Sequence, residues 1–456
     1  MSDKKRKITP CGEKIIRYGD ETAGTTGINA ADSCDMISSA NDYRELLCKL
    51  KEIAFTLGSP LYIVGGAVRD FVFSKEYSSD IDLASPADFE IFNAALKKCG
   101  IVSAALYRRT HTVQFEFDGK KCEFTSFRKE RYADGGGHTP EFTEPTDDIY
   151  EDARRRDFKC NAVYYDVTEG EFVDPLGGIE DIKNKILDTV KTPDDVFKSD
   201  GLRLMRLARF AGELGFTPTE EVIESAKKYS GNLKDISAER IYAELVSIIN
   251  PDGKHGFSPT DGFYGAVEVL YKTGVMKYVF PYFDDISLRT CFFAGKSIRL
   301  YALPVGERDG VKARFLSLKS PVRVAETAER IVETLPKFMD GNNEKETEEL
   351  KIFVLKNSDI IDKIIALKSA YAEATEDKRY ADSAERIKKI YKNAADKNLP
   401  KSLKELKING TDLKKSGITG GDIGAALEAV FNLVATEKLP NEKERLLSYV
   451  CGEKSL

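Results

Sequence analysis

Residues 61–84 read LYIVGGAVRDFVFSKEYSSDIDLA, and this stretch predicts a strand, a tight turn and a helix in succession. The four residues before the glycines are apolar and partly β-branched, as in a buried strand. Gly65 and Gly66 allow the backbone to turn sharply and to bring its N–H groups close to an anion. We expect a helix from about Ala67. Its N-terminal end, with Arg69 as a mobile cation beside it, would suit a triphosphate group.

Two aspartates follow at the end of the same stretch. Asp80 and Asp82 flank Ile81, so on a strand both carboxylates point to one face while Ile81 points into the core. Two hard oxygen donors on one face suit Mg²⁺, which takes its other ligands from water and substrate phosphates. An Asp-x-Asp pair alone is more often a surface turn with solvated acids, but the preceding Gly-Gly pair favours the metal site.

The combination of GGAVRD and DIDLA resembles the first motif of the class II tRNA nucleotidyltransferase and bacterial poly(A) polymerase family, within the polymerase-β-like nucleotidyltransferases. The resemblance implies an α+β fold: a nucleotidyltransferase head with a mixed sheet and helices, followed by an all-α neck, body and tail. It implies that Asp80 and Asp82 are catalytic and hold Mg²⁺, with Glu123 as a further carboxylate. Gly65, Gly66 and Arg69 would then bind the triphosphate.

A second motif, RRRDFKCNAVYYD, spans residues 154–166. From the residues alone, Arg156 could meet phosphate or ribose oxygens, and Asp157 or Asn161 could bond a ribose hydroxyl or fix the arginine. A capped helix start with buried tyrosines fits equally well. The motif resembles the family's RRDFTINALYY, with Lys and Cys in place of Thr and Ile, and the resemblance assigns Arg156, Asp157 and Asn161 to nucleotide binding.

A third motif, SDGLRLMRLARFAGELGF, spans residues 199–216 and predicts a helix opened by Ser199 or Asp200. Asp200, Arg203, Arg206 and Arg209 recur every three positions, which places them on an oblique stripe of that helix. Arginines in an apolar helix need an anionic or planar partner. A structural ladder of salt bridges is the alternative to a nucleotide site.

In the family this region is the EDxxR motif, whose Asp and Arg act as a protein template for the incoming base. The resemblance places Asp200 and Arg203 in that role: the carboxylate accepts from the exocyclic amine of C or A, and the guanidinium donates to the ring. A carbonyl in place of the amine would face the buried carboxylate, so UTP and GTP would be rejected. Arg206 and Arg209 resemble the family's base-stacking or phosphate contacts. Ser199 stands where the family usually has Glu.

Composition narrows the class of protein. With 456 residues and 41% hydrophobic residues the chain predicts several ordinary globular domains. We expect no membrane association, since no apolar run is long enough to span a bilayer, and the basic N-terminus lacks the apolar core of a secretory signal. A cytoplasmic location follows. The eight cysteines form no CxxC pair and, with only three histidines, predict reduced thiols and no zinc site.

The charge is uneven along the chain. The net charge is −6, yet residues 377–415 hold twelve Lys or Arg and six Asp or Glu, an excess of +6 that leaves −12 elsewhere. A basic surface on an acidic body suits a nucleic-acid partner held along one path, although solvated faces of amphipathic helices explain the charges equally well.

The sequence pattern predicts five segments. Residues 1–38 lack periodicity and predict a poorly ordered arm. Alternating strands at 112–117 and 121–127, joined by Asp118-Gly119, predict a hairpin in the head. The remaining divisions are the catalytic head at 39–190, interrupted by a mobile glycine-rich loop at 132–151, the helical neck at 191–255 for base recognition, the RNA-binding body at 256–375, and the tRNA-binding tail at 376–456.

The resemblance as a whole implies a Mg²⁺-dependent enzyme that adds C, C and A to the 3′ end of tRNA without a nucleic-acid template. CTP and ATP would be the substrates, pyrophosphate the leaving product, and no obligate protein partner is indicated. Poly(A) polymerase, or an enzyme adding only CC or only A, would share the head motifs. A catalytically dead RNA-binding module would not need these acidic and basic residues together. The loop at 132–140, YADGGGHTP, departs from the family's basic loop.

Overall fold

The computed structural model describes residues 16–18, 41–75, 78, 80–131, 137, 140–251, 259–307, 310–339 and 344–452. The chain divides into two compact units, Met1–Val279 and Phe280–Leu456. The first unit contains the strands and the second, over its described residues, is helical. This arrangement confirms the predicted α+β class, with a mixed sheet and helices followed by helices alone.

The first unit is built on an eight-stranded sheet with strand order β1-β10-β9-β2-β3-β6-β5-β4 among the described residues. Within this sheet, over the described residues, β3 and β6 are parallel and the other neighbouring strands are antiparallel. Two further two-stranded sheets pair β7 with β8 and β11 with β12. The strands are β1 Ile16–Tyr18, β2 Tyr62–Val64, β3 Asp80–Ser85, β4 Ser103–Tyr107, β5 Thr112–Phe117, β6 Lys120–Ser126, β7 Arg128–Arg131, β8 Phe142–Pro145, β9 Tyr164–Asp166, β10 Glu171–Asp174, β11 Ile186–Leu187 and β12 Thr217–Pro218.

Helices cover the sheet and continue beyond it within the same unit. The helices of the first unit are α1 Asn41–Leu57, α2 Gly66–Ser74, α3 Phe89–Lys98, α4 Ile149–Arg154, α5 Gly178–Asn184, α6 Pro193–Ser199, α7 Leu202–Leu214, α8 Glu220–Tyr229, α9 Ala238–Ile249, α10 Pro259–Lys272 and α11 Met276–Val279. The core of the sheet includes stacked aromatic rings, such as Phe92 on Phe124 with centroids 3.7 Å apart.

The turn after β10 explains how α5 is held. Asp174 accepts hydrogen bonds from the N–H groups of Gly178 and Ile179, at 2.8 and 2.9 Å, and so caps the helix. A Cβ at Gly178 would lie 2.1 Å from the Lys159 carbonyl oxygen, so this position has room only for glycine. The Asp-Pro-Leu-Gly-Gly sequence is therefore structural.

The second unit packs its helices around their own apolar core. Its helices are α12 Asp285–Phe293, α13 Arg299–Ala302, α14 Val311–Ser317, α15 Val322–Val332, α16 Glu344–Lys356, α17 Ile361–Thr375, α18 Lys378–Asp396, α19 Gly410–Lys415, α20 Asp422–Ala435 and α21 Lys443–Val450. Near the C-terminus, Leu413, Val430, Phe431 and Leu446 belong to one buried cluster. No described helix has the length and apolar character needed to cross a membrane.

Several predicted segments can be compared directly. The hairpin at 112–127 is confirmed as β5 and β6, and both Asp118 and Gly119 have positive φ, 50° and 72°. Of the predicted arm at 1–38, only Ile16–Tyr18 is described, and it forms the edge strand β1 against β10. Of the predicted loop at 132–151, residues 132–136 and 138–139 lie outside the described residues. Its second half is not a loop, because it contains strand β8 and the start of helix α4. The division into head, neck, body and tail stays a prediction.

Candidate active site

The glycine turn and the strand of the two aspartates lie side by side. Gly65 caps α2 with φ 78°, and the strand before it pairs antiparallel with β3, so that Val64 lies opposite Asp82. A Cβ at Gly65 would lie only 2.9 Å from Oδ2 of Asp82. The turn therefore brings the N-terminal end of α2 against a carboxylate.

Asp80 and Asp82 are exposed while Ile81 is buried, which confirms that both carboxylates lie on one face of β3. Across the parallel pair, Asp82 lies opposite Glu123 and Asp80 opposite Lys121. Glu123 accepts a hydrogen bond of 2.7 Å from Gln114. Partial removal from water raises the pKa of Asp82, and the Glu123 and Asp80 carboxylates act in the same direction against Arg156.

No three His, Cys, Asp or Glu side chains among the described residues are grouped closely enough to hold a metal ion. Glu123 thus does not complete a three-carboxylate cluster with Asp80 and Asp82. The pair of aspartates still offers hard oxygen donors beside the helix N-terminus, which is the donor set that a divalent cation sharing its ligands with a triphosphate requires.

A cavity of about 1130 Å³ opens beside this turn. It is lined by every predicted site residue except Asp80 and Glu123, and arginines outnumber carboxylates in its wall. A concave, positively charged wall suits a polyanionic ligand such as a nucleotide. The predicted residues that line it are Gly65, Gly66, Arg69, Asp82, Arg156, Asp157, Asn161, Asp200, Arg203, Arg206 and Arg209.

A chain of buried hydrogen bonds runs through the cavity wall. Arg69 donates to the Asn161 Oδ1 at 2.7 Å, and the Asn161 amide donates to Asp157 at 3.1 Å. Asp157 also accepts from Arg206, with 2.6 Å between the closest atoms. Burial alone would raise the pKa of Asp157, but Arg206 and Asn161 hold that pKa well below its usual range. Two residues of the second motif, Asn161 and Asp157, therefore hold Arg69 and Arg206 in place.

One expectation about this wall is wrong. Arg69 is not a mobile cation, because its side chain is buried and bonded to Asp70 at 2.6 Å as well as to Asn161. Its guanidinium also lies 5.3 Å from the centre of the Phe210 ring. The Asp that follows Arg69 in the sequence is the partner that makes this burial possible, since a buried cation needs a counter-charge.

Two consecutive arginines in the second motif share one buried carboxylate. Asp152 accepts from Arg155 at 2.7 Å and from Arg156 at 3.1 Å, and the Tyr164 hydroxyl donates to it at 2.7 Å. Burial would raise the pKa of Asp152, but the two arginines hold it below its usual range. Asp152 was not predicted as a site residue, although it lies four residues before Arg156 at helical spacing.

The predicted base-recognition pair lies at the junction of α6 and α7. Asp200 is extended and precedes α7, so it is not part of the helical stripe, and this corrects the prediction that the four charges share one helix. Its carboxylate accepts from the N–H of Leu202 at 2.9 Å and lies 3.9 Å from Arg203. Arg203 donates to Ser199 at 3.2 Å and to the Arg155 carbonyl at 2.7 Å. Ser199 thus still contacts this arginine.

Arg209 is held by one partner within the third motif and by another from a distant helix. Arg209 pairs with Glu244 at 2.8 Å and with Glu213 at 3.0 Å, and its guanidinium lies 4.2 Å from the centre of the Phe210 ring. These contacts bear out part of the salt-bridge ladder. Glu213 could have been found from its spacing of four after Arg209, whereas Glu244 comes from the distant helix α9 and gives no such signal.

Comparison with known proteins matches both halves of the chain. A model of the poly(A) polymerase head domain matches residues 61–188, and a model of tRNA nucleotidyltransferase domain 2 matches residues 306–450. The CCA-adding enzyme of Geobacillus sp. (strain WCH70) is 31% identical over 409 residues, which cover 85% of this chain and 92% of that protein. The chain belongs to the family of CCA-adding enzymes. The human mitochondrial CCA tRNA nucleotidyltransferase 1 is 27% identical and covers 90% of each chain.

Solved CCA-adding enzymes share the fold. The Bacillus stearothermophilus enzyme in complex with CTP has a TM-score of 0.64 at 22% identity and covers 91% of this chain and 98% of its own. The Thermotoga maritima enzyme in complex with tRNA has a TM-score of 0.61 at 17% identity and covers 93% of this chain and 98% of its own. The fold of these enzymes is thus shared over more than nine tenths of the chain.

Proposed function

We propose that this protein adds C, C and A to the 3′ end of tRNA, using CTP and ATP and releasing pyrophosphate. The observation that carries the proposal is the single cavity whose wall holds the glycine turn, Asp82, and the Asp200–Arg203 pair in a member of the CCA-adding family. A protein that selects a nucleotide without a nucleic-acid template needs a triphosphate-binding site and a base-recognition pair in the same cavity. The reaction takes place in the cytoplasm.

Asp80 and Asp82 hold Mg²⁺ in this proposal. Their carboxylates share a face of β3, and the Gly65 turn, where a Cβ would lie 2.9 Å from Oδ2 of Asp82, places the N-terminal end of α2 beside them. When bound, the cation neutralises charge on the triphosphate and lowers the pKa of the attacking 3′-hydroxyl. Glu123, opposite Asp82 on β6, adds negative charge to the same face.

The remaining residues bind and orient the substrates. The N–H groups at the start of α2, at Gly65 and Gly66, bind the triphosphate, and Arg156 faces the developing negative charge. Asn161 and Asp157 keep Arg69 and Arg206 fixed, so these cations need little reorganisation during the reaction. The tRNA phosphates contact the basic segment 377–415 of the second unit.

Asp200 and Arg203 select the base. The Asp200 carboxylate accepts from the amine that C and A share and that U and G lack at that position. The Asp200→Ala variant should therefore lose most of its preference for CTP over UTP, by about tenfold or more, with little change in tRNA affinity. Single-turnover incorporation of CTP and UTP measures this preference, and unchanged discrimination would remove Asp200 from the template.

Extension of defined transcripts tests the proposed function directly. tRNA transcripts ending at the discriminator base, at C and at CC are incubated with Mg²⁺ and with CTP and ATP, singly and together, and the 3′ ends are sequenced. Growth to CCA followed by a stop is the expected result. Addition of CC alone, of A only to CC, or of an open run of A would assign one of the related activities instead, and no extension would contradict transfer altogether.

A further inference from the structure

A second, smaller cavity of about 240 Å³ adjoins the base-recognition pair in the first unit. It lies where the end of β7, the end of α4 and both ends of α6 meet. The larger and smaller cavities share three residues, Glu130, Arg155 and Arg203. A group bound in the smaller cavity would therefore lie directly beside the pair that selects the base.

Positive charge dominates the wall of this smaller cavity. Cationic side chains there outnumber the two carboxylates, Glu130 and Asp195, by six to two; the cations are Arg131, Arg154, Arg155, Lys191, Lys198 and Arg203. Glu130 is already engaged, since it lies 2.7 Å from Arg128 and 3.8 Å from Arg155. The wall therefore keeps a net excess of positive charge.

The effect of this crowding is visible at Lys191. Partial burial lowers the pKa of Lys191, and the neighbouring charge of Arg203 lowers it further. An anion between these cations would relieve their mutual repulsion. Ser199 also lines the cavity, but its hydroxyl donates to the Val196 carbonyl at 2.9 Å, so the cationic side chains are what the wall offers to a phosphate group.

We propose that this smaller cavity binds a phosphodiester group of the RNA strand that is being extended. This inference rests on the proposed function, because the RNA must end in the larger cavity for its backbone to reach the smaller one. An incoming nucleotide cannot supply the phosphate if its triphosphate lies at Gly65 and its base at Asp200. An RNA strand carries a phosphate on every nucleotide, so its 3′ end can lie in the larger cavity while a backbone phosphate lies in the smaller one.

The salt dependence of tRNA binding tests this site without any catalytic step. The variant is Lys191→Gln/Lys198→Gln, which removes two positive charges from the cavity wall. The matched control is Lys97→Gln/Lys98→Gln at the exposed end of α3, outside both cavities. The dissociation constant of tRNA is measured without nucleotide at 50 and 200 mM salt. Thermal unfolding with and without pyrophosphate is measured beside it.

The ratio of interest is the dissociation constant of tRNA at 200 mM salt divided by that at 50 mM salt. Loss of one phosphate contact should make this ratio about threefold smaller in the cavity variant than in the wild type. The control should keep the wild-type ratio, and Lys191→Arg/Lys198→Arg should restore it. The KM of the cavity variant for CTP should stay within about twofold of the wild-type value. An unchanged ratio in the cavity variant, or an equal change in the control, would overturn the proposal.

Two further outcomes separate the ligand sources. In one outcome, pyrophosphate raises the unfolding temperature of the wild type but not that of the cavity variant, and the two proteins have the same ratio of tRNA dissociation constants. That outcome would assign the cavity to a free anion and overturn the RNA assignment. If the wild type extends tRNA to CCA but the ratio is unchanged in the variant, only this inference fails. If the wild type neither binds nor extends tRNA, the proposed function fails first and the RNA assignment falls with it.

Discussion

The geometry of the proposed triphosphate-binding turn depends on Gly65. Its φ of 78° is strained for any residue with a Cβ, at a cost of about 1–2 kcal/mol, and that Cβ would meet Asp82 at 2.9 Å. The sequence predicted the turn, because two glycines after an apolar strand allow the backbone to turn sharply. It did not predict that the glycine also makes room for the neighbouring carboxylate, since that contact depends on the register of β2 against β3.

Substitution of Gly65 should therefore affect activity more than stability. Gly65→Ala should slow single-turnover CTP addition by about tenfold to a hundredfold, because the added methyl displaces Asp82. Gly66→Ala is the matched control, since its Cβ would lie 3.6 Å from Arg69 in ordinary contact, and it should stay within a few-fold of wild type. Equal rates for the two variants would show that the space beside Asp82 is not needed.

Asp157 links acid stability to the wall of the larger cavity. Its pKa lies below the usual range in the folded state, so its stabilising effect is present above the ordinary pKa of about 3.9 and is lost as the pH falls through the lower folded value. Asp157→Asn should lower the unfolding free energy at pH 7 by about 3 kcal/mol, because it leaves Arg206 without its closest partner.

The pH dependence supplies the check on Asp157. The difference in urea-unfolding free energy between wild type and Asp157→Asn should narrow as the pH is lowered from about 5 towards 2. Asp235→Asn, which changes an exposed aspartate of the same unit, should leave the unfolding midpoint at pH 7 unchanged. A difference that stays constant across this pH range would mean that Asp157 does not carry its charge in the folded protein.

At the scale of elements, the arginines of α7 depend on how closely that helix approaches α10. A Cβ at Gly212 would lie 2.3 Å from the Gly262 carbonyl oxygen and 2.8 Å from Ala266. The obstacle is partly backbone, which cannot rotate away as a side chain can. The position of α7, which carries Arg203, Arg206 and Arg209 into the cavity wall, therefore depends on the close contact of two glycines between α7 and α10.

Gly212→Ala should push the two helices apart and cost about 1–3 kcal/mol, which corresponds to a melting temperature lower by roughly 3–10 °C. Gly265→Ala on α10 is the control, because its Cβ would meet no atom within 4 Å, and alanine favours a helix over glycine. Calorimetry measures the melting temperature of both variants, and the KM for CTP reports whether the arginines of α7 keep their positions in the cavity wall. A melting temperature as high as that of the control would contradict the close approach.

The elements differ in how well the sequence predicted them. The β5–β6 hairpin followed from local rules, since Asp-Gly supplies the two positive φ angles that a tight turn needs. The three-residue spacing misplaced Asp200, because an aspartate just before a helix can accept a hydrogen bond from the first N–H of the helix, here that of Leu202, without joining the helix itself. The partner of Arg209 on α9 was not predicted, since no periodicity links residues 35 positions apart.

At the scale of the whole molecule, the candidate chemistry and the basic segment lie in different units. Every predicted site residue belongs to Met1–Val279, and residues 377–415 belong to Phe280–Leu456. The motifs predicted the head because short, local patterns define it. The helical unit offered only amphipathic periodicity and an uneven charge, which indicate helices and a polyanionic partner without fixing how the helices pack. Substitutions at the site should consequently remove the reaction while binding of tRNA persists.

The most direct test of the central claim compares nucleotide addition and tRNA affinity in one variant. Asp80→Ala should abolish single-turnover addition of CTP to a tRNA ending at its discriminator base, while the dissociation constant for that tRNA stays within about threefold of wild type. Glu45→Ala, which removes an exposed carboxylate from α1, should behave as wild type in both. Wild-type turnover by Asp80→Ala would contradict the assignment of the reaction to this site.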